Sequence, residues 1–154
     1  MLKISKLADY ATSILSHLLL QPENWQSAKV LAQHLGLKQP TVSKILKLLA
    51  ESSILQAKLG VNGGYRLARS ANQIILADII TAIDGRSGVT ACTQDQVCSY
   101  EVNCRIKTNW RYVDQAIYQT LSALTLADMQ VSMHEHPIVM HGIQLLANQD
   151  ANAS

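Results

Sequence analysis

Between residues 26 and 69, two short apolar stripes of helical spacing lie either side of a single glycine, and a glycine-rich hairpin signal follows at once. Ser27 can cap a helix that turns Ala28, Leu31, Ala32 and Leu35 inward. Gly36 then allows the left-handed backbone that stops it. The next helix starts near Gln39, with Pro40 tolerated in the first turn because its missing N–H has no partner there anyway. Val42, Ile45, Leu46 and Leu49 make its buried stripe, while Thr41, Ser43, Lys44 and Lys47 face outward. Ala32, Gly36 and Val42 follow helix-turn-helix spacing: a small residue where helices touch, a turn glycine, and a core residue on the second helix. Residues 54–59 and 65–68 read as strands joined by Gly60-Val61-Asn62-Gly63-Gly64, where Asn and Gly supply the positive φ angles of a tight turn. A hairpin directly after the second helix of such a pair is a wing.

The flanking segments supply the rest of the core. Ile4, Leu7, Ala8, Ala11, Ile14, Leu15 and Leu18 predict an amphipathic helix over about 2–20, ended by Gln21-Pro22-Glu23-Asn24. Leu76, Ile79, Ile80 and Ile83 predict another over 76–84, stopped by Gly85. From 105 to about 124, Ile106, Trp110, Val113, Ile117, Leu121 and Leu124 step by three or four residues, a seam that calls for a partner helix. Thr125 caps a last short helix through Met129, and the chain turns polar after Leu146. The expected class is mainly α with a small β-hairpin wing. It divides into a winged helix-turn-helix domain over 1–84, a cysteine loop over 85–105, a dimerisation helix region over 106–129, and a partly disordered tail over 130–154.

Charge is uneven along the chain. Up to residue 70, nine Lys and Arg oppose only Asp9, Glu23 and Glu51, a balance of +6; beyond it, four basic residues oppose eight acids, a balance of −4. A basic first half suits a polyanionic partner, and double-stranded DNA fits the helix-turn-helix. On that surface Lys44 and Lys47 suit phosphates, Thr41 and Ser43 allow close approach, and Gln39 suits adenine. Lys58 and Arg66 on the wing add backbone or minor-groove contacts. Pairing two copies through the 106–124 seam sets twin helices about one DNA turn apart, on a near-palindromic site. No nucleophile–base constellation or acid pair is evident, so an enzyme is not expected. No apolar run is long enough for a bilayer or a signal peptide, and a cytoplasmic protein with reduced thiols is expected.

The three cysteines, Cys92, Cys98 and Cys104, stand with five residues between neighbours in one polar stretch. An odd number cannot pair completely, and thiolates favour zinc or iron–sulfur clusters. Zinc sites draw cysteines in closer pairs, so this spacing suits a loop around a larger cluster; three free thiols or a thiol redox switch are the alternatives. A common cluster takes four protein ligands, and the fourth comes from Asp9, His134, His136, His141 or an external molecule. His17 and His34 read as ordinary structural or surface residues.

Several motifs together resemble the IscR/NsrR-like winged-helix regulators. They are the opening Leu2-Lys3-Ile4-Ser5-Lys6-Leu7-Ala8-Asp9-Tyr10-Ala11, the wing Gly63-Gly64-Tyr65-Arg66-Leu67, the segment Ala77-Asp78-Ile79-Ile80-Thr81-Ala82-Ile83-Asp84-Gly85, and the three cysteines. The stretch from Gln39 to Leu49, with Thr125-Leu126-Ala127-Asp128-Met129, is most similar to the regulators of SUF-type iron–sulfur assembly genes. The resemblance covers about residues 1–130. It implies a homodimeric bacterial repressor or activator, a repressor in preference, that senses an iron–sulfur cluster, 2Fe–2S in preference to 4Fe–4S, held by Cys92, Cys98 and Cys104. The alternative is a winged-helix regulator that senses zinc, thiol redox state or nitric oxide. In the IscR branch a histidine three residues past the last cysteine completes the site; Lys107 stands there, and an ammonium has no lone pair to give. In the NsrR branch an aspartate before the first-helix tyrosine reaches across from the other subunit, and Asp9 matches it. An arginine of the IscR wing is Leu59 here.

Overall fold

Ser5 opens the first helix by accepting a hydrogen bond from the Ala8 amide at 3.0 Å, so the helix starts later than its apolar spacing suggests. The computed structural model describes residues 4–85, 88–90, 93, 104–132 and 136–140. Its elements are α1 (Lys6–Leu18), α2 (Ala28–Leu35), α3 (Gln39–Glu51), β1 (Leu55–Lys58), β2 (Gly64–Leu67), α4 (Leu76–Asp84) and α5 (Lys107–Ser122), with 3₁₀ turns at Ala71–Gln73 and Asp128–Gln130. Because the cap falls at Ser5, Ile4 lies outside α1 and is 51% exposed rather than part of the buried stripe. At the other end Leu20 is exposed in a turn that follows Leu18.

The helix-turn-helix forms where its spacing places it. Ser27 accepts from the Val30 amide to start α2, and Gly36 adopts φ +65° to end it. Pro40 sits in the first turn of α3, and Val42, Ile45, Leu46 and Leu49 are buried. Leu31 and Ala32 of α2 meet them in a core that also takes Ala11, Ile14, Leu15 and Leu18 of α1. In this chain without phenylalanine, leucine and isoleucine supply the bulk of that interior.

β1 and β2 pair antiparallel, with Leu55 opposite Leu67 and Lys58 opposite Gly64. The positive φ angles of the hairpin belong to Gly60 and Gly64; Asn62 has none, which corrects its expected role in the turn. A third strand position, absent from the sequence expectation, comes from Gln26. Its amide donates to the Tyr65 carbonyl at 3.0 Å and its carbonyl accepts from the Tyr65 amide at 2.9 Å. The wing is thereby stitched to the start of the helix-turn-helix.

α4 covers 76–84, as its spacing predicts. It is tied to the wing base by Arg69 and Asp78 at 2.7 Å, and to the cap of α1 by Ser5 and Asp84 at 2.7 Å. After α5 the chain returns to the core. The Leu76 amide donates to Leu124, the Leu126 amide donates to Ile74, and the Leu126 side chain is fully buried. The expected helix from Thr125 is a 3₁₀ turn, in which Thr125 Oγ1 accepts from the Asp128 amide and donates to the Asp128 carboxylate.

Candidate nucleic-acid interface and cysteine segment

The exposed side of α3 follows from its buried one. Pro40, Ser43, Lys44 and Lys47 fall at helical spacings on one strip, with Gln39 exposed at the first position and Thr41 half-buried beside them. Lys44 has no ion-pair partner among the described residues. Lys47 approaches Glu51 at 3.8 Å with both side chains mostly exposed, a contact worth only about 0.3–0.5 kcal/mol, so a phosphate can displace it.

The wing cations are held in place by neighbours that the sequence did not point to. The Arg66 guanidinium lies 4.6 Å from the centre of the Trp25 ring and donates from Nε to Gln56 Oε1 at 3.1 Å. Lys58 Nζ lies 5.7 Å from the same ring. Trp25 thus fixes two cations over its π face through an attraction of about 0.5–1 kcal/mol each at exposed sites. Sequence reasoning missed this residue because nothing near Trp25 in the chain signals it; the wing reaches it only through the Gln26–Tyr65 pairing. The wing tip itself is apolar and open, with Leu59 97% and Val61 104% exposed.

Of the cysteines, Cys104 is described: a free, half-buried thiol just ahead of α5, with its carbonyl facing the Lys107 amide. Cys92 and Cys98 lie outside the described residues, as do His134 and His141. Both flanks of the cysteine segment meet α5. Cys104 leads into the helix, and on the other side the Val89 amide donates to Asp114 Oδ1 at 3.0 Å. Asp9 is exposed on α1, beside an open groove that Ser13, Ser16, His17, Met129 and Gln130 also line. Within one chain it shares no hydrogen bond with Cys104 among the described residues. His136 stands 3.8 Å from the Asp128 carboxylate. That carboxyl is held below the usual range by the Thr125 hydroxyl, then by the Thr125 amide, with His136 adding to the effect.

α5 carries no buried residue. Ile106 just before it and Trp110 and Val113 along it are 55%, 37% and 43% exposed, so the first half of its apolar seam is open among the described residues, while Ile117, Leu121 and Leu124 are half-buried.

Residues 4–132 match the model of the Rrf2 family, described as an iron-dependent transcriptional regulator. The chain is a member of the Rrf2 family. Among its relatives, protein rrf2 of Nitratidesulfovibrio vulgaris is 27% identical over 130 residues, which cover 83% of this chain and 87% of that protein. The IscR structure from T. potens superposes with a TM-score of 0.60 at 28% identity, over 84% of this chain and 86% of that one. CymR, the global cysteine regulator of B. subtilis, superposes at 0.63 with 23% identity over 84% and 96%, a likeness of fold. This Rrf2-family member is therefore a winged-helix, DNA-binding transcriptional regulator. No helix among its described residues is long and apolar enough to cross a membrane.

Proposed function

We propose that this Rrf2-family regulator works as a homodimer on a near-palindromic operator, and that an iron–sulfur cluster on Cys92, Cys98 and Cys104 sets its affinity, repressing SUF-type cluster assembly genes. One observation carries the reading: both flanks of the cysteine segment attach to α5, the helix that leaves Ile106, Trp110 and Val113 open to a second copy. A change at the thiols is transmitted to that seam, and so to the separation of the two α3 helices.

The residues present suit such a cofactor. Cys104 is an unpaired thiol, Lys107 is excluded as a ligand by its chemistry, and Asp9 of the partner subunit is the preferred fourth donor. When bound, the cluster supplies a redox-active and oxygen-labile centre, 2Fe–2S in preference to 4Fe–4S. Gln39, Thr41 and Ser43 then face base edges, Lys44 and Lys47 the phosphates, and Lys58 and Arg66 the flanking backbone or minor groove.

Anaerobic purification tests the sensor. A brown protein whose visible absorption is lost in Cys98→Ala supports it, and a colourless protein after reconstitution with iron and sulfide overturns it. Zinc without iron or acid-labile sulfide would instead favour the zinc or thiol-sensing alternative. For the DNA surface, Lys44→Ala should weaken binding on every duplex and lower the salt slope by about 1. Unchanged affinity would displace α3 from its role.

A further inference from the structure

His17 and His34 are far apart in sequence, yet the packing of α1 against α2 brings Nε2 of His17 to 3.1 Å from Nδ1 of His34. The ring centres are 5.0 Å apart and the planes tilt by 51°. We infer that this pair, on α1 and α2, is a binding site for a borderline divalent transition-metal ion such as Ni²⁺ or Zn²⁺, with ligands other than the cysteines. Two nitrogens each about 2.0–2.1 Å from one ion lie about 2.9 Å apart at a right angle and about 3.3 Å apart in a tetrahedron, and the observed separation falls between.

A second feature favours a cation at the same place. His17 lies in the last turn of α1 and His34 in the last turn of α2, so the negative ends of two helix dipoles converge there. Imidazole nitrogen suits these ions better than magnesium or calcium, which take oxygen ligands. His34 is exposed and His17 half-buried, which leaves the remaining coordination positions to water. One ring now donates the proton of its facing nitrogen to the other ring. Moving that proton to the far nitrogen of the donor ring frees both lone pairs, so neutral imidazoles bind the ion with no net proton release. The ion then clamps the first helix to the leading helix of the helix-turn-helix.

Ni²⁺ titration of the full-length protein tests this, followed by calorimetry and by imidazole nitrogen NMR. The expected result is one ion per chain more in wild type than in either histidine variant, with the His17 and His34 resonances broadened before those of His134, His136 and His141. At a hundredfold excess over Kd the melting temperature should rise by about 5–10 °C, and this rise should vanish in both His17→Gln and His34→Gln. Equal binding by wild type and both variants, or first broadening at the tail histidines, overturns the site. So does a wild type whose paired resonances ignore Ni²⁺, and that measurement needs no variant. Free thiolates also take up Ni²⁺, so wild type and variants are compared at equal cluster content, and the His17 and His34 resonances report the pair itself whether or not a cluster is bound.

Discussion

A Cβ on Gly64 would lie 2.5 Å from the Gln26 carbonyl oxygen, and its φ of +151° is already one that side chains rarely adopt. Gly36 shares the positive φ, at +65°, but a Cβ there meets nothing within 4 Å. Gly36→Ala should cost about 1–2 kcal/mol from backbone strain alone. Gly64→Ala should cost more, about 2–4 kcal/mol, because the close approach of the wing to the Gln26 backbone ahead of α2 adds to the strain. Urea unfolding of the two variants checks the order. Asp128 acts through charge instead. Thr125 stabilises its ionised form, so its contribution is present above the ordinary carboxylate range and is lost as pH falls through the lowered value. Thermal melts should show Asp128→Asn less stable than wild type at neutral pH, with the difference closing toward pH 2.

At the scale of elements, the wing and α5 expose different surfaces. The wing arrives with its cations already placed on Trp25. Trp25→Ala should therefore lower operator affinity by about two- to fivefold while leaving α3 contacts in place, measurable by fluorescence anisotropy. α5 instead offers Ile106, Trp110 and Val113, which no described residue of its own chain buries. Val113→Lys should leave the monomer folded and shift sedimentation toward the single chain. A dimer that survives this change would move the interface away from α5. Local spacing made α2, α3 and α4 legible to within a residue or so, because each has a full apolar stripe and a residue that starts or stops it. α1 was less so: Ile4 continues the stripe, but the hydroxyl of Ser5 wins the first turn.

Across the whole molecule, the segment after α5 matters more than its short length suggests. Leu126 is fully buried among residues of α1, α3 and α4, and its amide bonds to Ile74. Leu126→Ala should destabilise the chain by about 2–5 kcal/mol in one cooperative transition, seen by calorimetry, because the return strand belongs to the same core. A separate early transition with an intact main melt would show α5 and its return unfolding alone. The sequence suggested a dimerisation region set beyond the DNA-binding half. The buried side chain shows that the segment after α5 shares one core with α1, α3 and α4.

Residue order alone determined the helix pair, its glycine turn, the hairpin and the outward lysines, since each depends on φ/ψ preference and apolar period within about a dozen residues. Folding decided the rest. Gln26 joining the wing, Trp25 lying beneath two cations, Leu126 entering the core and His17 meeting His34 are all encounters between distant segments. No local propensity encodes them; they exist because packed helices leave only one place for those side chains to go.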